Sequence, residues 1–73
     1  MSASADFQKG LTAYKSGDFA TALRVWTPLA KQGNARAQYN LDLMYGNGQG
    51  VSKDDKTAVK WYKLAAKQGY ADA

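Results

Sequence analysis

Thr21-Ala22-Leu23-Arg24-Val25-Trp26 and Thr57-Ala58-Val59-Lys60-Trp61-Tyr62 are two copies of one stretch, 36 residues apart. The register holds through Ala30-Lys31-Gln32-Gly33 against Ala66-Lys67-Gln68-Gly69, and through Ala35-Arg36-Ala37 against Ala71-Asp72-Ala73. Upstream, Tyr14-Lys15-Ser16-Gly17 pairs with Tyr45-Gly46-Asn47-Gly48 at an offset of 31. The five extra residues fall in Gln49-Gly50-Val51-Ser52-Lys53, so the second copy has the longer internal connection. A period of about thirty to forty residues belongs to helical solenoids, whose unit is a helix–turn–helix.

Local signals place the helices. Phe7, Leu11 and Tyr14 stand at i, i+4 and i+7, which predicts a first helix from about Ala5 to Lys15. Ser16-Gly17 breaks it, and Asp18 is suited to cap the next helix. That second helix presents Phe19, Ala22, Leu23, Trp26 and Ala30 on one face. Pro28 lies inside it, which predicts a bend or a boundary near Arg24–Pro28. Gly33 ends it and Asn34 caps a third helix running to about Tyr45, with Ala37, Leu41, Met44 and Tyr45 inward. Gly46-Asn47-Gly48-Gln49-Gly50 is expected to lie outside any helix. Asp54 or Asp55 caps the fourth helix, whose apolar positions are Ala58, Trp61, Tyr62, Ala65 and Ala66. Residues 70–73 read as the start of a third unit, which makes the 73-residue chain one helical-repeat domain cut from a longer array. Its first unit is 6–33 and its second 34–69.

Composition removes whole classes of chemistry. With no cysteine, there is neither a disulfide nor a thiolate metal site. With no histidine, the commonest metal ligand and general base are missing. The six acids are all aspartates: Asp18, Asp54 and Asp55 read as caps, and no paired-carboxylate constellation appears. Gly46-x-Gly48-x-Gly50 follows a helix, where a phosphate-cradling loop follows a strand. No catalytic, metal or cofactor-binding residues are therefore assigned, and no enzyme activity is expected. A chain this short buries about 60% of the surface that its unfolded form exposes, so helix packing or a second copy must stabilise it.

From Ala37 to Ala73 the residues carry a family pattern: Ala37, Leu41, Tyr45, Gly48-Gln49-Gly50-Val51, Asp54-Asp55, Ala58-Val59-Lys60-Trp61-Tyr62-Lys63-Leu64-Ala65-Ala66 and Gly69-Tyr70-Ala71-Asp72-Ala73. This resembles the Sel-one-like repeat, a relative of the tetratricopeptide repeat. Phe7 to Ala37 resemble a shorter, more divergent unit of that kind. The resemblance implies an all-α, right-handed α-solenoid of two helix–turn–helix repeats. It also implies a scaffold or adaptor whose partners are proteins or peptides, with no cofactor. One position departs: the family has glycine after the leucine, where the helices of a unit approach, and this chain has Asp42. A carboxylate there either disturbs that packing or turns to solvent.

Three surfaces are candidates for contact. Arg36, Tyr39 and Leu43 lie off the apolar stripe of the third helix, which in such arrays lines the concave groove. They are the expected partner-binding residues; packing between units is the alternative. Trp61, Tyr62 and Leu64 lie near the open end and are expected to serve self-association, as a homodimer that exchanges helices about the Gly46–Lys53 connection. Lys56, Lys60, Lys63 and Lys67 recur at intervals of 4, 3 and 4 as a basic stripe. That stripe is either a solvated face or a contact for an anionic partner. Scarce arginine argues against nucleic acid. No stretch has the length of a membrane span. Ala3-Ser4-Ala5 has the form of a leader cleavage site, so the compartment is either periplasmic or secreted, with the leader removed, or cytoplasmic.

Overall fold

The computed structural model describes residues 3–70. Four helices follow in order: α1 (Ala3–Lys15), α2 (Phe19–Lys31), α3 (Ala35–Asn47) and α4 (Asp55–Lys67). No strand occurs among the described residues. Residues 71–73, expected to belong to a third unit, lie outside the described residues, as do Met1 and Ser2.

One stop signal ends three of these helices. After α1 the chain turns through Gly17 at φ +86°, where only glycine is unstrained. Gly17 N–H donates to Tyr14 C=O at 3.0 Å and Asp18 N–H to Ala13 C=O at 2.9 Å. The same pair of bonds recurs at Gly33 and Asn34 after α2, and at Gly69 and Tyr70 after α4. These 5→2 and 6→1 bonds satisfy carbonyls that a helix end leaves open. The starts are equally local. The side chains of Asp18, Asn34 and Asp54 accept the backbone N–H three residues on, from Thr21, Ala37 and Thr57.

Of the two alternatives at Pro28, a bend or a boundary, the boundary does not form: α2 continues through it to Lys31. Trp26, Leu29 and Ala30, on both sides of the proline, are buried. Burying that stripe offsets the lost hydrogen bond and ring clash, which cost about 3 kcal/mol. The third helix does not stop at Tyr45: Gly46 and Asn47 remain helical, and the turn to left-handed backbone comes at Gly48, φ +68°. Gly46 can stay helical because it faces α4, where an added Cβ would meet the Ala58 methyl at 3.8 Å.

Each helix packs chiefly on its neighbours in sequence, α1 on α2, α2 on α3 and α3 on α4. That is the near one-dimensional order of a repeat array. The core runs through it from Phe7 and Trp26 to Leu41, Met44 and Trp61. Trp26 is 1% exposed, stacked on Phe7 with ring centroids 5.5 Å apart, and its Nε1 donates to Phe7 C=O at 3.2 Å. A polar ladder joins the units. Gln68 Nε2 donates to Gln38 Oε1 at 3.0 Å and to Gly33 C=O at 2.9 Å, while buried Gln38 donates to Ala30 C=O at 3.1 Å.

The glycine-rich connection is tied to the first unit. Tyr14 hydroxyl donates to Gln49 Oε1 at 2.9 Å, and Gly50, at φ +77°, lies against the Phe19 backbone. Asp54 N–H donates to Tyr45 C=O at 2.9 Å. These contacts tie the segment, which the sequence reading treats as a hinge, to the first unit and to α3.

A candidate interaction groove between α1 and α3

α1 and α3, the first helices of the two units, flank a concavity lined by Leu11, Tyr14, Trp26, Asn40 and Leu43. Its floor is the buried Trp26 indole on α2. Leu11 and Tyr14 form the wall from α1, half-buried against the core. Tyr14 is held at 5.8 Å from the Trp26 ring and 5.1 Å from Phe19, and its hydroxyl is fixed by Gln49. The opposite wall comes from Asn40 and Leu43, with Leu43 38% exposed. The surface is therefore apolar and rigid at its base, with one carboxamide at the side. No hydrogen bond within the described chain engages the Asn40 side chain, which has both donor and acceptor to offer. Such a site suits one aliphatic or aromatic side chain of a partner, with its backbone beside Asn40.

The three residues expected to bind a partner do not form one patch. Leu43 lines the groove. Arg36 is laid over the Phe7 ring, its guanidinium carbon 4.2 Å from the centroid, and so extends the Phe7–Trp26 stack between units. Tyr39 meets Tyr70 edge-on at 5.6 Å, toward the other end of the array. Leu11 and Asn40 escape the sequence reading. Leu11 reads there as core, and Asn40 carries no signal, because the groove exists only once two helices flank Trp26.

The three self-association residues also separate. Trp61 is 7% exposed and part of the core, so it offers no free surface. Tyr62, an inward position in the sequence reading, is 40% exposed. Leu64 is also exposed, but two residues on a helix lie about 200° apart, so Tyr62 and Leu64 face opposite ways. Lys56, Lys60, Lys63 and Lys67 are all exposed on the side of α4 away from the core, bordering an open depression with Val59 and Leu64. Lys60 leans back so that its Nζ lies 5.2 Å from the Trp61 ring centroid.

Titration is perturbed at three aspartates. The Thr57 hydroxyl, then the Thr57 amide, hold the Asp54 carboxyl below its ordinary value. Thr21 acts likewise on Asp18. Burial pushes the half-buried Asp42 carboxyl up. Asp42 lies one turn before Gly46, on the side that faces Ala58, so neither alternative of the sequence reading describes it fully. It sits at the edge of the α3–α4 packing and keeps partial contact with water. No group of three potential metal ligands occurs among the described residues, and no helix there is long and apolar enough to cross a membrane.

Comparison with known proteins agrees with the repeat pattern. Residues 35–70 match the family model described as Sel1 repeat. An exopolysaccharide production negative regulator of Rhizobium leguminosarum bv. viciae is 36% identical over 63 residues, covering 86% of this chain and 24% of the relative. Chitin synthase regulatory factor 3 of Schizosaccharomyces pombe is 46% identical over 44 residues, covering 60% of this chain and 5% of that protein. The chain thus spans about a quarter or less of the length of these relatives. No solved structure matches.

Proposed function

We propose, from the membership of this chain in the Sel1 repeat family through residues 35–70, that it is a non-catalytic protein-binding module which holds a partner segment in the α1–α3 groove. The observation that carries this reading is the apolar concavity over Trp26, with its free carboxamide at Asn40. Helical arrays bind through preformed surfaces with few anchors, and a floor already buried and stacked loses little entropy on binding. The relatives named as regulators are consistent with a role in control by holding another protein, without chemistry of its own. Peptides selected from a random display library against the purified protein test it. Selected peptides should share one large apolar anchor and lose binding to a double variant, Leu43→Asp with Asn40→Ala, that keeps its helical circular dichroism. Equal binding to that variant would remove the groove from the account.

A second reading, self-association, has one observation in its favour. Tyr62 occupies the repeat position of Trp26, yet is 40% exposed against 1%. A second copy covering Tyr62 would explain that difference. Light scattering that finds a monomer at high protein concentration would dismiss it.

A further inference from the structure

We infer that the outer face of α4 is a second docking surface, built for an acidic helical segment of a partner protein. Lys56, Lys60, Lys63 and Lys67 form a row along the axis, all exposed, on the side away from Trp61 and Ala65. From first to last the row spans about 16 Å, three turns of helix. Two acids adjoin its first end: the Asp55 carboxylate is taken by Lys53 at 2.8 Å, and the Asp54 carboxylate is engaged by Thr57 and also feels Lys56. Beyond Lys56 the row therefore concentrates positive charge that no carboxylate among the described residues offsets, at Lys60, Lys63 and Lys67, on one helix of a chain whose net charge is +4.

The fold does not demand these lysines. Small residues at the helix contacts are kept between units, Ala22 with Ala58 and Ala30 with Ala66, and Gly33 and Gly69 are kept where the helices end. The corresponding row on α2 reads Ala20, Arg24, Thr27 and Lys31, with half the charge. Apolar side chains flank the lysines. Val59 is 49% exposed and Leu64 is 36% exposed, and together with the lysines they line one open depression.

This arrangement selects among anionic partners. A lipid surface is entered by an apolar centre with cations at its rim. Here the order is reversed, with cations central and Val59 and Leu64 about 140° apart around the axis, so both cannot enter a flat bilayer together. Duplex phosphates are gripped best by arginine, which the row lacks. A helix with carboxylates at i, i+4, i+7 and i+11 meets the lysines in register, and its own apolar residues reach Val59 and Leu64 on either side.

The probe is a synthetic helical peptide with glutamate at that spacing and leucine beside it, titrated into the purified protein and followed by backbone amide NMR. Shifts should map to residues 55–67 and leave Leu11, Asn40 and Leu43 unmoved, which separates this surface from the groove. Lys56→Glu with Lys63→Glu should weaken binding at least about tenfold, as should moderate added salt, while the circular dichroism stays unchanged. A peptide with the same composition and scrambled spacing should bind more weakly. Shifts confined to the groove, equal binding by the double variant, or binding only to phosphatidylserine vesicles or duplex DNA would each overturn the inference.

Discussion

Gly10→Ala should destabilise this protein, although the same change at most helical glycines stabilises. Alanine in a helix interior is favoured over glycine by about 1 kcal/mol. At Gly10, however, an added Cβ would overlap Trp26 Nε1 and stand 2.5 Å from Cε2 and 2.7 Å from Cδ1. The indole has no room to retreat, being 1% exposed and stacked between Phe7 and Tyr14. Forcing it aside costs about 1–3 kcal/mol for overpacking. Displacement also breaks the Nε1 bond to Phe7 C=O. Orphaning that buried N–H costs about 1–3 kcal/mol more. Net of the helix gain, the loss is about 1–5 kcal/mol, against a total of roughly 4–11 kcal/mol for a chain of this length. Urea unfolding followed by circular dichroism reads it directly, and the melting temperature should fall by about 4–8 °C for each kcal/mol lost. Gly46→Ala is the internal control, since its Cβ would meet only Ala58 at 3.8 Å; it should gain a few tenths to about 1 kcal/mol. In a Trp26→Phe background, where the indole is replaced by a smaller ring, the penalty at Gly10 should largely disappear. A Gly10→Ala protein as stable as the parent would refute the packing reasoning, and so would a penalty undiminished in that background.

Asp42→Asn should raise stability at neutral pH. Burial lifts the folded carboxyl above its ordinary 3.8, so the native state holds the proton more tightly than the unfolded chain. Stability therefore falls as pH rises through that window, and the advantage of the asparagine should vanish at pH values below 3.8; a gain independent of pH would contradict this. Asp54→Ala should lower stability at neutral pH and fray the start of α4. Its folded carboxyl is depressed by Thr57, so the cap contributes above the ordinary value and is lost as pH falls through the folded one; the deficit should shrink in acid, and a constant deficit would point elsewhere. Gln38→Leu should cost about 1–2 kcal/mol in urea unfolding, through the lost bonds to Ala30 and Gln68; an unchanged midpoint would show that the ladder adds nothing.

The helices are legible in the sequence because their ends are local. Gly17, Gly33 and Gly69 mark three C-termini, and Asp18, Asn34 and Asp54 mark three starts, each through bonds within a few residues. At Pro28 and Gly46 propensity argues for breaking a helix, yet both stay helical, with Trp26 and Leu29 buried on either side of the proline and Gly46 set against Ala58. The groove is half legible. Leu43 is marked by lying off the apolar stripe, whereas Leu11 and Asn40 take their meaning from the distance between two helices, which no periodicity within one helix encodes. Arg36 lies off the apolar stripe and reads as a contact either for a partner or between units; its guanidinium lies over Phe7 of the first unit, and the residue stays exposed.

The repeat separates what the fold requires from what it leaves free. Small residues recur where helices meet, at Ala22 and Ala58 and at Ala30 and Ala66, and glycines recur where they end. At the corresponding positions on the outer side, Lys56 stands for Ala20 and Lys63 for Thr27 without altering the helix, since both lysines are exposed. A surface that changes while its scaffold is kept can be retuned for a partner with little effect on stability. The floor of the groove lacks that freedom, because Trp26 also holds α1 against α2 through Phe7. Discrimination between partners in the groove therefore falls to Leu11, Asn40 and Leu43 on its walls, which can vary while the indole beneath them stays fixed.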